Sequence, residues 1–261
     1  MSYETIIYEQ LGAVAWITLN RPRELNAVNL RMLEELHDVL AAVQVNAALR
    51  AVVVTGSGRA FCAGADLKAL LGGLESAPGE PNFSDHTQAM LSLLRNMPKP
   101  VIAAVNGLTI AGGLELAMCC DILIGAASAR MGDGHANFGV FPGGGGAAVL
   151  PRKIGLNRAK QLLFTGEIVD AAKMQAWGLL NEVVADEALL PTVRALAEQM
   201  ADKSSLVLRR MKAVANRSVD LSQEAALRDE LLECQQHTRS HDFREGLAAY
   251  GEKRAPAFRG T

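Results

Sequence analysis

The chain has 261 residues, 49% of them hydrophobic, which suffices for one large packed core or a core with an appendage. Its 26 basic and 28 acidic side chains leave a net charge of −2, and no block of Lys and Arg offers nucleic acid a footprint. No uncharged apolar run approaches the roughly 20 residues of a membrane-spanning helix, since the longest candidate, "LAMCCDILIGAA", is interrupted by Asp121.

The opening "MSYETIIYEQ" has no basic segment followed by a long apolar run, so no secretory signal is expected. The β-branched and aromatic "AVAWITLN" predicts a strand closed by the turn "RPRELN". Asn29 is a candidate N-cap for a helix to about Ala48, with Leu33, Leu36, Leu40 and Val43 as its buried stripe. "AVVVTG" reads as a strand deep in a sheet, followed by a loop punctuated by Gly56, Gly58 and Gly64 and a helix start at "ADLKALL". Residues 72–85, rich in Gly, Pro, Ser and Glu, predict a mobile surface loop. A helix from about His86 to Asn96 then stops at Pro98. "KPVIAAVNG" is a second buried strand, Gly112 and Gly113 open another helix, and "DILIGA" starts the next strand.

This alternation predicts an α/β class. After Leu190 helix formers dominate to about residue 250, and "EKRAPAF" reads as an extended tail. The shift divides a sheet-containing core, 1–190, from a helical region, 191–261. Cys62, Cys119, Cys120 and Cys234 form no C-x-x-C pair and suit reduced thiols in the cytosol.

Two strand-to-helix junctions stand out, at Ala65–Asp66 and at Gly112–Gly113. A helix start leaves N–H groups without internal partners and favours negative charge. Two such starts side by side would form an oxyanion hole, although the same glycines also suit a plain turn. Glu115, one turn into the second helix, is either a solvent-facing residue favoured by the helix dipole or a general acid or base beside the hole. In "MGDGHANFGVFPGGGG", Asp133 and His135 sit two residues apart among glycines. That pattern leaves open an acid–base pair, a metal site, a phosphate cradle or a crowded turn. The run lacks the Lys-Ser/Thr that ends a nucleotide-binding P-loop. His237 and His241 have metal-binding spacing on a helix but no evident third ligand, so no metal is expected.

"RAFCAGADL", "KPVIAAVNG", "AGGLELAMCCDI", "GVFPGGGG", "LLFTGEIVDAAKMQAWGLLNEVV" and "EGLAAYGEKRAPAF" together resemble the crotonase superfamily, the enoyl-CoA hydratase/isomerase family, over nearly the whole chain and in order. The resemblance implies a spiral of repeated ββα units with a helical C-terminal trimerisation region, in a cytoplasmic homotrimer or hexamer acting in fatty acid metabolism. The ligand would be an acyl-coenzyme A thioester, with no separate cofactor. The Ala65 and Gly112 N–H groups would hold the thioester oxygen as the α-carbon gains enolate character. Arg23, Leu25, Ala27, Arg59, Ala63, Asp66, Lys253 and Phe258 would contact coenzyme A, the last two across a subunit boundary.

Hydratases of this family carry two glutamates that hold the attacking water. Glu115 matches the first, whereas the second position, 20 residues on, is His135. Either His135 or Asp133 could take over its role. Hydration of a 2-enoyl-CoA is the expected reaction. Double-bond isomerisation, C–C hydrolysis or decarboxylation through His135 and Asp133, and CoA-thioester binding without catalysis are the alternatives.

Overall fold

The computed structural model describes residues 3–73 and 81–261. Strands β1 (Ile6–Leu11) and β2 (Val14–Leu19) form an antiparallel hairpin, and helix α1 (Leu30–Val45) follows. Asn29 caps α1 by accepting the Met32 N–H at 2.9 Å, and Leu33, Leu36, Leu40 and Val43 are buried as their spacing predicts. Next come β3 (Ala51–Gly56), β4 (Ala60–Cys62), α2 (Leu67–Gly73) and α3 (Phe83–Arg95). The loop expected over 72–85 falls partly outside the described residues. Its described end departs from expectation, because α3 begins at Phe83 rather than near His86. Asn82 accepts the Ser84 and Asp85 N–H groups, and the Asp85 side chain accepts the Asn82 N–H at 2.9 Å, a capping box that fixes the earlier start.

The chain continues through β5 (Val101–Val105), β6 (Leu108–Ile110), α4 (Gly112–Met118), β7 (Ile122–Ala126) and β8 (Arg130–Gly132). Then follow α5 (Leu150–Ile154), α6 (Leu156–Thr165), β9 (Val169–Asp170), α7 (Ala171–Ala176) and β10 (Glu182–Val184). Four helices end it: α8 (Leu189–Ala201), α9 (Ser205–Ser218), α10 (Gln223–His237) and α11 (His241–Glu252).

The strands divide between two sheets. One has the order β1-β2-β3-β5-β7-β10 and is parallel apart from the β1–β2 hairpin. The other has the order β4-β6-β8-β9 and is parallel apart from β8–β9. The pairs β3/β4, β5/β6 and β7/β8 therefore each give one strand to each sheet before the chain leaves, and successive pairs stack as turns of a spiral. β3 and β5 are buried on both faces, which accounts for their continuous apolar composition. α8 lies against the first sheet through Leu189, Val193 and Ala197, whereas α10 has no buried residue.

Backbone passes over backbone where the turns of the spiral stack. A Cβ on Gly113 would lie 2.0 Å from the Cys62 carbonyl oxygen. Gly113→Ala should therefore destabilise the fold by about 3 kcal/mol, an overpacking cost with backbone on both sides, read as a lower melting temperature. Gly251→Ala, in α11 with open space around it, is the control and should leave the melting temperature unchanged or slightly higher.

Candidate active site

The spiral brings the two helix starts together. Residues 25–28 run beside 63–66, with the Val28 N–H donating to Gly64 O and the Asp66 N–H donating to Val28 O, both at 2.8 Å. Neighbours in an extended segment point their N–H groups to opposite sides, so the Ala65 N–H faces away from Val28. Arg21 braces this segment. Its guanidinium donates to Ala27 O and forms an ion pair with Asp66 at 3.0 Å.

Across from Ala65, Ala111 caps α4 with φ 51° and ψ −124°, a left-handed conformation that costs a non-glycine residue about 1–3 kcal/mol. It turns the next peptide so that α4 starts directly at Gly112. The Ala65 nitrogen lies 3.5 Å from the point where a Gly112 side chain would begin. Among the described residues, neither the Ala65 nor the Gly112 N–H has a protein acceptor. Both residues line a cavity of about 300 Å³ that also takes in Glu115 and His135. Leu70, Phe83, Ile110, Phe138 and Phe141 supply apolar wall to the same cavity.

Glu115 does not face solvent, being 4% exposed. Its Oε1 accepts the Gly144 N–H at 2.7 Å and the Gly146 N–H at 2.9 Å. Only glycines allow this approach. A Cβ on Gly144 would meet Glu115 Oε2 at 2.7 Å, and one on Gly146 would meet Asp133 Oδ2 at 2.5 Å. The glycine run is thus a cradle for a protein carboxylate.

Asp133 follows β8, and Gly134, with φ 70°, folds the chain back into a short 3-10 turn over His135–Phe138. His135 Nδ1 comes within 3.0 Å of Asp133 Oδ1, which also accepts the His135 backbone N–H at 3.3 Å. Asp133 is 1% exposed, and among the described residues its Oδ2 has no hydrogen-bond partner. Burial disfavours the imidazolium. The hydrogen bond and charge of Asp133, with the charge of Glu115 adding to them, outweigh burial and raise the His135 pKa above the ordinary imidazole value. Beneath the Ala65 loop, burial pushes the Cys62 thiol up to about 12, which leaves it an inert core residue.

The profile for the enoyl-CoA hydratase/isomerase family matches residues 9–261. The chain belongs to this family. It is 39% identical to a crotonyl-CoA hydratase of Syntrophomonas wolfei and 39% identical to a probable enoyl-CoA hydratase of Rhizobium meliloti, each over 99% of both chains. The crystal structure of an enoyl-CoA hydratase from Bacillus anthracis superposes with a TM-score of 0.92 at 33% identity, covering 99% of this chain and all of that one. The crotonase-type α/β fold expected from the sequence is the fold found here.

The other expected contact residues fall into two groups. Leu25, Ala27, Ala63 and Asp66 lie together along the paired segments beside Ala65, with the Ala63 N–H donating to Leu25 O at 3.0 Å. Exposed Arg23 and Arg59 flank them, since Gly58 packs on Pro22. The Asp66 carboxylate is engaged by Arg21 in an ion pair that braces the loop. Lys253 and Phe258 are not brought to this cavity within the single chain. Lys253 is the left-handed C-cap of α11, and Phe258 packs over Gly246 in a groove between α9 and α11. The tail is anchored there by buried Asp242, which accepts the Arg259 and Gly260 N–H groups at 2.8 and 2.9 Å. His237 stacks edge-on against Phe243, and the described residues hold no cluster of three or more His, Cys, Asp or Glu fit for a metal.

Sequence reasoning missed Arg21, Gln88 and Arg95, whose partners are main-chain atoms or residues distant in sequence.

Because folding raises the His135 pKa, the pair's contribution to stability is complete below the ordinary imidazole range. It is lost as pH rises through the higher folded-state value. Asp133→Asn should lower the His135 pKa in an NMR titration and flatten this dependence in thermal melts taken across neutral pH.

Proposed function

We propose that the protein hydrates a 2-enoyl-CoA to the 3-hydroxyacyl-CoA, with Glu115 as general base and His135 as the proton donor that replaces a second glutamate. The observation that carries this reading is one cavity lined by two N–H groups without an acceptor among the described residues, Ala65 and Gly112, and by Glu115 and His135.

In this mechanism the thioester oxygen accepts from Ala65 and Gly112. Glu115 takes a proton from water as the hydroxide adds to the β-carbon, and electrons move onto the thioester oxygen, where the two N–H groups stabilise the enolate. The imidazolium of His135 then delivers a proton to the α-carbon from Nε2, while Nδ1 stays on Asp133. A proton passing from Glu115 back to His135 resets the site. The raised His135 pKa favours the donor form near neutral pH.

Leu25, Ala27, Ala63, Asp66 and the exposed Arg23 and Arg59 are proposed to bind coenzyme A, with Lys253 and Phe258 contributing from a neighbouring subunit. No separate cofactor is required by this chemistry. Assembly as a trimer or pair of trimers is proposed to use the C-terminal helices. A groove of about 540 Å³ between α9 and α10, lined by Met211, Val214 and Leu227, supports this, as does the exposure of Leu231 and Leu232. A cytoplasmic location and a place in fatty acid metabolism fit the same reading.

Hydration is followed by loss of the conjugated enoyl-thioester absorbance. Glu115→Gln should lower kcat by about 10²- to 10⁴-fold with the fold intact, and near-normal activity would remove Glu115 from the mechanism. Wild-type kcat should fall as pH rises past the His135 pKa, and His135→Gln should abolish that alkaline limb. Turnover of free β-diketones, with no turnover of CoA thioesters, would instead assign the His135–Asp133 pair to C–C hydrolysis.

A further inference from the structure

Four consecutive glycines have more backbone freedom than any other tetrapeptide, yet Gly144 and Gly146 aim both their N–H groups at a single oxygen of Glu115. Something outside the run must hold it. Two side chains of α3 do so. The Gln88 side-chain amide donates to the Gly143 carbonyl, and Arg95 Nη2 donates to the Gly144 carbonyl at 3.2 Å. These residues are seven apart, two helical turns, and so share one face of α3.

The atoms they grip matter. The Gly143 carbonyl and the Gly144 N–H belong to the same peptide group, which is planar and trans. Fixing the carbonyl direction with Gln88 therefore fixes the N–H that points the other way, at Glu115. Arg95 holds the next peptide group, on the other side of the Gly144 α-carbon. The same Nη2 lies 3.5 Å from Cys119 Sγ, and Cys119 caps the C-terminus of α4 one turn beyond Glu115. Arg95 thus touches both the helix that carries Glu115 and the loop that receives it. Among the described residues it makes no ion pair with a carboxylate, and it does not line the cavity.

We propose that Gln88 and Arg95 are positioning residues that lock the Gly143–Gly146 loop so that its amides hold the Glu115 carboxylate in its working orientation. This rests on the reading of Glu115 as the base. Misplacing a reacting group by about 1 Å can cost about 100-fold in rate, which sets the scale expected for loss of the clamp.

The test uses the full-length protein in two measurements. Amide hydrogen exchange without substrate should show residues 143–147 exchanging at least about 10-fold faster in Arg95→Ala than in wild type, with α3 and α4 otherwise unchanged. Hydration kinetics should show kcat lowered roughly 10- to 100-fold with KM within about twofold, because Arg95 does not touch the cavity. Arg95→Lys should recover part of the loss. In a Glu115→Gln background the further loss from Arg95→Ala should shrink towards none, as it must for a residue acting only through Glu115. Gln88→Ala provides a second position should Arg95→Ala fail to fold; because Gln88 itself lines the cavity, its readout is the loop exchange rather than the kinetics. Unchanged exchange and kcat in the variants, or an equal factor lost with and without Glu115, would overturn the clamp. A wild-type enzyme inert towards every enoyl-CoA would overturn the hydration reading instead, and the exchange data would still decide the clamp.

Discussion

A carboxylate buried at the start of a helix must find donors, and the structure around Glu115 is organised by that requirement. Its own helix offers the Gly112 N–H, but this opens onto the cavity. The donors come instead from a distant loop, through the Gly144 and Gly146 amides. Side chains at those positions would collide with Glu115 and Asp133, so the glycine run follows from the buried charge. The loop in turn leans on α3, and α3 forms a wall of the cavity. One buried acid therefore couples three segments that are remote in the chain.

The second constraint is the spiral itself. Each turn lays a short strand of one sheet beside the next, and the backbone of α4 passes so close to β4 that only glycine fits at position 113. The same closeness puts the Ala65 and Gly112 N–H groups on one cavity. The strain at Ala111 sits where the chain turns from β6 into α4, so the fold holds an unfavourable backbone geometry at the point where the cavity gains a donor.

At the third wall, the imidazole and the buried carboxylate of Asp133 make a pair whose charge balance differs from that of two glutamates. With Glu115 ionised, protonation of His135 leaves the three groups with one net negative charge rather than two. That electrostatic difference raises the imidazole pKa and so favours the protonated ring, whereas a carboxylate at that position would need a raised pKa to hold the same proton.

Much of this was legible from residues alone. The α1 stripe, the buried β3 and β5, the two helix starts and the order of family motifs all rest on local periodicity or on strings of adjacent residues, and each stands where it was expected. The three-residue strands β4, β6 and β8 carry too few residues to show a period and emerge only when stacked. The start of α3 turned on a capping box that composition read as loop. By itself the sequence determined the family, the α/β spiral and the identity of the groups at the site: Ala65, Gly112, Glu115, and a His where a second carboxylate was expected. Only the tertiary structure decided that Asp133 grips His135, that the glycine run serves Glu115 rather than a phosphate, and that Arg21, Gln88 and Arg95 brace the walls. Those contacts join groups far apart in the chain or folded back through a left-handed turn, and hydrogen-bond direction between such groups is set by packing, which no local pattern records.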